Sequence, residues 1–339
     1  MNYKICICGG GNLGHVIAGY VASRPEFEVS LLTRRPERWS RNLIIDLPDG
    51  KTLSGQLSRI SSDPKEVVAD ADIVLLCLPG YSIRETLLRI KDAVSTGVAV
   101  GSVVSSTGFF FEAMDVLPAT VPLFGLQRVP FISRTSEYGL RASLLGYKSQ
   151  LSVAIEQTQQ KEVLRQAIER LFDTPTILLH SFYEVSLSNS NPLLHPSRLY
   201  DLWRNWHKGD TYSRIPLFYE EWSEEAAQLY IDMDIELQTL LTHLPVAPGS
   251  ITPVLEYYES TDAPSLAAKL RSIEAFKGIL SPMKQTSDGR YVPDFASRYF
   301  TEDFPYGLAI IHRLMKEHEV NAPTINRIFQ WGMGMISNT

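Results

Sequence analysis

The sequence predicts an α/β Rossmann domain with a doubly wound, mostly parallel sheet, followed by an all-α C-terminal domain. A short apolar strand at residues 3–8 leads directly into the glycine-rich run G-G-G-N-L-G and then into an apolar helix, which is typical of dinucleotide-binding domains. Residues 73–79 form a continuous apolar run, as expected for a parallel strand covered on both faces. Beyond Phe182 such runs stop and helical periods take over, so we expect domains of residues 1–182 and 183–339.

Composition and charge exclude several classes of protein. The 339-residue chain is 21% charged with a net charge of -6, so it lacks the basic footprint of a nucleic-acid-binding protein. No apolar run is long enough to span a bilayer, and the first strand begins too early to leave room for a signal peptide. The three cysteines lie in apolar, strand-like runs without metal-ligand partners nearby in sequence. We therefore expect a cytoplasmic protein, without a metal, that binds neither nucleic acid nor membrane.

The spacing of the glycine-rich run predicts a dinucleotide site. Gly9 allows a tight turn out of the strand, Gly11 lets a pyrophosphate approach the backbone, and Gly14 lets the helix pack closely on the sheet. Asn12 and Leu13 begin that helix, whose free N–H groups and positive dipole end favour phosphate. The alternative is a glycine-rich turn that serves only packing. The place of this run between a strand and a helix favours cofactor binding.

The end of the second predicted strand bears on the choice of cofactor. An NAD-preferring site usually carries Asp or Glu there, whereas this chain has Thr33 and Arg34. A guanidinium suits the 2′-phosphate of NADP, so we predict NADP, with NAD as second choice. Arg34 could instead belong to a solvated loop, or stack on adenine in either cofactor. Leu78 and Pro79 end another strand, and we expect them beside the cofactor because ligands bind at the carboxyl ends of such strands.

The second half of the chain has helical periods over residues 184–206, 223–243, 265–280 and 304–318, with shorter helices near 252–258 and from 324. A sheet domain followed by a helical one predicts a substrate site in the cleft between them. Two segments of this half carry candidate chemistry, N-P-L-L-H-P from Asn191 and R-Y-F-T-E-D from Arg298. Taken alone, His195 could be a packed residue, Arg298 a surface charge and Asp303 a helix N-cap.

Together, G-G-G-N-L-G, N-P-L-L-H-P and the longer late segment R-Y-F-T-E-D-F-P-Y-G-L resemble the opine dehydrogenases, the octopine and nopaline dehydrogenase family. The resemblance covers nearly the whole chain, and its last two motifs are much more specific than the first. It implies that His195 pairs with Asp303 as the catalytic dyad and that Arg298 binds a substrate carboxylate. Asn191, one helical turn before His195, is a further candidate for orienting the substrate or the nicotinamide amide.

The resemblance also implies an activity. Family members condense the amino group of an amino acid with a 2-keto acid, often pyruvate, and reduce the resulting imine with NAD(P)H; the reverse reaction oxidises the product. We expect such small-molecule partners and a monomer or homodimer. One alternative is a carbonyl reductase like ketopantoate reductase or glycerol-3-phosphate dehydrogenase, but those use a lysine early in the helical domain, and none lies between Lys161 and Lys208. Another is a non-catalytic NADP-sensing protein, which would bind the cofactor without turnover.

Overall fold

A computed structural model describes residues 3–337 and resolves two compact units, one ending at Ser188 and the other beginning at Asn189. The predicted boundary, Phe182, is the first residue of a short helix that packs on the sheet of the first unit. The Phe182 ring lies 5.3 Å from that of Phe110, so this helix shares the apolar core of the first unit.

The first unit contains a large sheet, a small sheet and their covering helices. Its strands are β1 (Tyr3–Cys8), β2 (Phe27–Leu32), β3 (Asn42–Asp46), β4 (Thr52–Gln56), β5 (Arg59–Ser61), β6 (Ile73–Leu76), β7 (Ala99–Val103), β8 (Leu123–Leu126), β9 (Phe131–Glu137), β10 (Arg141–Tyr147), β11 (Leu151–Glu156) and β12 (Thr176–Leu178). Its helices are α1 (Asn12–Ala22), α2 (Pro64–Val67), α3 (Gly80–Ile90), α4 (Phe109–Val116), α5 (Lys161–Phe172) and α6 (Phe182–Leu187), with a 3-10 turn at Pro36–Arg38.

The large sheet has the order β12-β11-β8-β7-β6-β1-β2-β5 and is parallel except between β8 and β11. All four residues of β6 are buried, as expected for a parallel strand with helices on both faces. Cys8 at the end of β1 is in register with Leu32 of β2 and Leu76 of β6. The carboxyl ends of these three strands therefore meet at one edge, and the predicted Rossmann class is confirmed.

The small sheet has the order β4-β3-β10-β9 and packs on α1. The β3–β4 hairpin and the β9–β10 hairpin join through a parallel pairing of β3 with β10. A side chain at Gly55 of β4 would collide with the Gly19 carbonyl of α1, so a glycine here allows the strand to approach the helix. This contact fixes the small sheet beside the helix that follows the glycine-rich run.

The second unit is mostly helical. Its elements are α7 (Asn191–Trp203), α8 (Glu224–Leu241), α9 (Val254–Tyr257), α10 (Ala263–Ser272), β13 (Met283–Gln285), β14 (Tyr291–Pro293), α11 (Arg298–Thr301), a π-helical turn (Phe304–Leu308), α12 (Ala309–Glu317) and α13 (Pro323–Ser337), with a 3-10 turn at Glu274–Phe276. The aromatic rings of Trp203, Phe300 and Phe304 pack in series in its core. None of the helices within residues 3–337 is long and apolar enough to cross a bilayer.

Three predicted boundaries in this unit were wrong. The predicted helix 184–206 is two helices, α6 and α7. Pro192 lies in the first turn of α7, where the missing N–H is tolerated, and Pro196 lies inside the same helix. The predicted helix 265–280 ends at Ser272, and the predicted helix 304–318 begins with a π-helical turn. Between α10 and α11, the short strands β13 and β14 pair as an antiparallel hairpin.

Candidate active site

The glycine-rich loop has the geometry that its spacing predicts. Gly9 has φ +117°, a conformation that side chains rarely adopt, and a Cβ there would collide with the Cys77 carbonyl. Gly11 is exposed, with open space where its Cβ would lie, and directly precedes α1. At Gly14 a Cβ would meet the carbonyl of Gly9, so the loop and the helix pack against each other only without a side chain. The result is a helix N-terminus with accessible backbone N–H groups, which suits a phosphate.

A cavity of about 620 Å³ adjoins this loop at the carboxyl ends of β1, β2 and β6. The predicted cofactor residues that line it are Gly9, Gly11, Thr33, Arg34, Leu78 and Pro79. The other three, Asn12, Leu13 and Gly14, are absent from the lining that residues 3–337 form. The Asn12 side chain instead accepts the Thr135 backbone N–H at 3.0 Å, and Leu13 packs on the core. These two side chains therefore support the loop from the α1 side.

The cavity is richer in arginine than the sequence analysis predicted. Its charged lining residues are Arg34, Arg35, Arg38, Arg89 and Glu85, so cations outnumber the carboxylate. The guanidinium of Arg38 stacks over the Tyr138 ring at 4.6 Å. The basic run after β2 contains Arg38 and could have indicated it; Arg89 comes from the far end of α3 and has no local signal.

A buried histidine that the sequence analysis missed connects the loop to the small sheet. His15 of α1 stacks on Trp39 at 4.0 Å, and its Nε2 accepts the Gly139 backbone N–H at 2.6 Å. Nδ1 is therefore the protonated nitrogen and lies 3.3 Å from the Gly11 carbonyl. Burial lowers the pKa of His15, which favours this neutral form. The imidazole thus holds Tyr138, the neighbour of Gly139, at the cavity.

The cysteines are free and buried. Cys8 and Cys77 border the cavity, and burial raises the pKa of Cys77 to about 12. A thiol with so high a pKa is protonated at neutral pH and a poor nucleophile. Among the described residues, no group of three His, Cys, Asp or Glu side chains is arranged to hold a metal ion.

The second unit brings together His195 and Asp303, which are 108 residues apart in sequence. His195 lies on α7, and Asp303 lies between α11 and the π-helical turn. Their Nδ1 and Oδ2 atoms are 2.7 Å apart, and the two side chains are only 11% and 16% exposed. The Asp303 side chain makes no N-cap hydrogen bond, so its partner is the histidine. Because an ionised carboxylate only accepts hydrogen bonds, Nδ1 carries a proton and Nε2 is the nitrogen available for proton exchange.

Aromatic side chains enclose the His195 ring. Tyr299 and Phe218 meet it edge-on with ring centroids 4.7 and 5.7 Å away. The hydroxyl of Tyr219 lies 2.9 Å from Nε2. Nothing in the spacing of the aromatic residues in this stretch distinguishes Tyr219 from its neighbours.

The predicted substrate residues lie on the same two elements. Arg298 begins α11, its side chain is 82% exposed, and its Nε and Nη2 donate to the two carboxylate oxygens of Glu302 at 2.8 Å each. Asn191 begins α7, and its backbone N–H donates to the Asn189 side chain at 3.2 Å. The Arg298 guanidinium is thus already bound to a carboxylate in the bidentate manner that a substrate carboxylate would use.

Comparison with known proteins agrees with this architecture. Residues 178–336 match the family model described as NAD/NADP octopine/nopaline dehydrogenase, alpha-helical domain. The octopine dehydrogenase of Mizuhopecten yessoensis is 29% identical, and the match covers 99% of this chain and 90% of that protein. The opine dehydrogenase of Haliotis discus hannai is 28% identical, with 96% of this chain and 88% of that protein covered.

Solved structures extend the likeness. Octopine dehydrogenase with NADH and L-arginine has a TM-score of 0.87 and 25% identity, covering 99% of this chain and 90% of that one. NADP+-bound yersinopine dehydrogenase, with a TM-score of 0.73 and 13% identity over 99% and 91% of the two chains, shares the fold. A ketopantoate reductase from Ralstonia eutropha JMP134 also shares the fold, with a TM-score of 0.61 and 17% identity over 99% of each chain, so that reductase class is a distant alternative.

The similarity to named enzymes runs through both units. The glycine-rich loop adjoins a cavity in the first, and the second matches the family's helical domain. The chain resembles the opine dehydrogenases in both units and is an NAD(P)-dependent oxidoreductase that acts on CH–NH bonds.

Proposed function

We propose that this chain condenses an amino acid with a 2-keto acid such as pyruvate and reduces the resulting imine with NAD(P)H, with His195 and Asp303 as its acid–base pair. The observation that carries the proposal is the 2.7 Å contact between these two mostly buried side chains in the unit that matches the family's helical domain. Support for the substrates comes from octopine dehydrogenase, whose solved structures contain NADH with L-arginine or with pyruvate.

The proposed role of His195 is to move a proton at the carbinolamine, the adduct of amine and ketone. Protonated His195 delivers a proton to the hydroxyl oxygen, the C–O bond breaks, and water leaves while the nitrogen lone pair forms the C=N bond. The products are neutral imidazole and a protonated imine, so atoms and charge balance. Asp303 stabilises the imidazolium and keeps Nδ1 protonated throughout. The bound nicotinamide supplies the hydride.

Arg298 and Asn191 are the proposed substrate-binding residues. The planar fork of Arg298 already holds the Glu302 carboxylate, and a substrate carboxylate would replace Glu302 in the same geometry. Asn191 begins the helix that carries His195, and we assign it to orienting the substrate or the nicotinamide amide.

For the cofactor we propose NADP in preference to NAD. Support comes from the arginines that line the cavity beside Thr33. The loop residues Gly9, Gly11 and Gly14 would let the pyrophosphate approach the N-terminus of α1. Leu78, which lies next to Gly9, and Pro79 line the same cavity. Arg34 would bind the 2′-phosphate, and Thr33 could add a hydroxyl.

Replacement of Arg34 tests this preference. A hydrogen bond to a charged group contributes about 1.5–3 kcal/mol, so Arg34→Ala should weaken NADPH binding about 10- to 100-fold and NADH binding much less. Dissociation constants from quenching of protein fluorescence give both values. The matched control is Arg141→Ala, which removes an arginine paired with Asp46 in the small sheet and should leave both constants unchanged. Equal losses for NADPH and NADH with Arg34→Ala would contradict the 2′-phosphate assignment.

The reaction itself is tested by NADPH and NADH oxidation across a matrix of amino acids and 2-keto acids, with each partner omitted in turn. Oxidation that requires both partners supports the proposal and identifies the substrates. Oxidation with the keto acid alone would make the protein a carbonyl reductase. Cofactor binding without oxidation in any combination would favour the NADP-sensing alternative.

A further inference from the structure

We propose that Tyr219 is a further catalytic residue, whose hydroxyl relays the proton between His195 Nε2 and the substrate. The inference rests on the proposed acid–base role of His195 and extends it by one group. In this scheme the phenol of Tyr219 donates the proton directly to the substrate, and the imidazole of His195 supplies the proton that replaces it.

Only one ring nitrogen of His195 is accessible for proton exchange. Nδ1 is held by Asp303 at 2.7 Å, so only Nε2 can exchange a proton with a substrate. Nε2 lies 2.9 Å from the Tyr219 hydroxyl, and this contact is buried. A substrate must therefore either displace this hydroxyl or receive its proton through it.

The Tyr219 ring is fixed by its neighbours. It is 5% exposed and stacks on two rings, 4.0 Å from Phe276 with an interplanar angle of 17° and 5.8 Å from Trp222 at 10°. A ring stacked on both neighbours cannot swing out without losing both contacts. Displacement of the hydroxyl by substrate is therefore less favourable than transfer through it.

The backbone that carries Tyr219 is fixed as well. Arg198, one helical turn after His195 on α7, is 3% exposed. Its Nε donates to the Phe218 carbonyl at 3.1 Å and its Nη2 to the Glu221 carbonyl at 2.7 Å. The helix α7 carries both His195 and Arg198, and Arg198 binds the backbone on either side of Tyr219. One helix therefore sets the distance between the imidazole and the phenol.

The surroundings of Tyr219 favour a hydroxyl that passes a proton on while it stays neutral, rather than one that ionises to a phenolate. Burial, followed by the nearby Tyr299, Tyr258 and Asp303, raises the pKa of Tyr219, so a phenolate is strongly disfavoured. The hydroxyl oxygen can nevertheless accept one proton from Nε2 while it releases another, and the phenol stays neutral at the end.

The relayed step balances. In the reductive direction the Nε2–H bond of protonated His195 breaks and its proton passes to the Tyr219 oxygen. The former phenol proton passes to the carbinolamine hydroxyl, whose C–O bond breaks to release water as the nitrogen lone pair forms C=N. His195 ends neutral and regains its proton from solvent. In the oxidative direction the same atoms move the proton back, from water through Tyr219 to Nε2.

The test is Tyr219→Phe, which keeps the ring stack and removes only the hydroxyl. Loss of a proton-transfer group lowers rates about 10²- to 10⁴-fold, so kcat should fall at least about 100-fold while KM and the NADPH dissociation constant change less than about threefold. The matched control is Tyr200→Phe, because Tyr200 lies on the same helix as His195 but its ring contacts Trp331 at 5.3 Å; its kcat should fall less than about threefold. A Tyr219→Phe enzyme with wild-type kcat, or with a lower KM because substrate no longer displaces the hydroxyl, would overturn the relay.

A second measurement does not depend on turnover. The ¹⁵N resonance of His195 Nε2 reports its hydrogen bond, so it should shift in Tyr219→Phe and stay in place in Tyr200→Phe, with thermal melts showing that both variants are folded. An unchanged resonance in Tyr219→Phe would overturn the relay whatever the activity. If the wild-type protein fails to oxidise NAD(P)H with every pair of amine and keto acid tested, the proposed function is contradicted. The ¹⁵N resonance would still decide whether the Tyr219 hydroxyl binds Nε2.

Discussion

The Asp303→Asn substitution separates the charge of Asp303 from its shape. The carboxylate oxygen lies 2.7 Å from His195 Nδ1, and both side chains are mostly buried. Two unit charges about 4 Å apart interact by about 4 kcal/mol at an effective dielectric constant near 20. Because the pair keeps some contact with solvent, we use about 2–4 kcal/mol for the lost stabilisation of the imidazolium. That range corresponds to about a 30- to 900-fold fall in kcat.

The asparagine also acts on the tautomer. Its NH₂ group can donate to Nδ1, which moves the imidazole proton to Nε2 and reverses the hydrogen bond with Tyr219. The assay is steady-state NADPH oxidation with the best amine and keto acid pair, together with NADPH binding. Binding should be unchanged within about threefold, because the substitution removes a transition-state interaction.

Asp234→Asn is the matched control. Asp234 is another buried carboxylate of the second unit, but it accepts the Val254 backbone N–H at 2.9 Å. Burial raises the pKa of Asp234, so its neutral replacement should leave kcat near the wild-type value. If Asp303→Asn keeps kcat within about threefold of wild type while Asp234→Asn behaves as expected, the acid–base assignment is refuted.

Two further predictions concern the cofactor loop. Gly14→Ala would force a Cβ against the Gly9 carbonyl, so NADPH binding should weaken at least about tenfold with a lower melting temperature; unchanged binding would show that the loop tolerates a side chain. Burial holds the pKa of His15 below its ordinary value of 6.5. The unfolded chain therefore takes up a proton on this histidine at higher pH than the folded chain does. As a result, the free energy of unfolding falls as pH drops below about 6.5. His15→Gln keeps an acceptor for the Gly139 N–H and should lessen that fall in urea melts at pH 7.5 and 5.5; an equal fall in both proteins would exclude His15 as its source.

The local parts of the fold could be predicted from sequence. The order strand, Gly9-x-Gly11-x-x-Gly14, helix is fixed by contacts among residues close in the chain, and the collision of a Gly14 side chain with the Gly9 carbonyl shows why. The apolar run that forms β6 is buried on both faces for the same kind of reason. Asn191, His195, Arg298 and Asp303 were named through the family motifs, since no local pattern pairs residues so distant in sequence.

The rest of the candidate site depends on long-range packing. Tyr219 lies in a stretch of aromatic residues with no distinguishing spacing. Its hydroxyl is positioned at Nε2 by the hydrogen bonds from Arg198 to the carbonyls of residues 218 and 221 and by the ring contacts with Phe276 and Trp222. Tyr138 reaches the cavity because β9 and β10 form a hairpin that joins β3, a pairing that the periodicity of neither strand reveals. Arg89 also reaches the cavity through long-range packing, since it lies at the far end of α3.

The most direct test of the proposed imine reduction is to find which carbon of the product receives the hydride from NADPH. The protein is incubated with NADPH carrying deuterium at C4 on either face, an amino acid and a 2-keto acid, and the product is identified by mass spectrometry. The account predicts a secondary amine that contains both carbon skeletons, with one deuterium on the former keto carbon when one of the two faces is labelled. A deuterated 2-hydroxy acid, with the amino acid left unchanged, would contradict it.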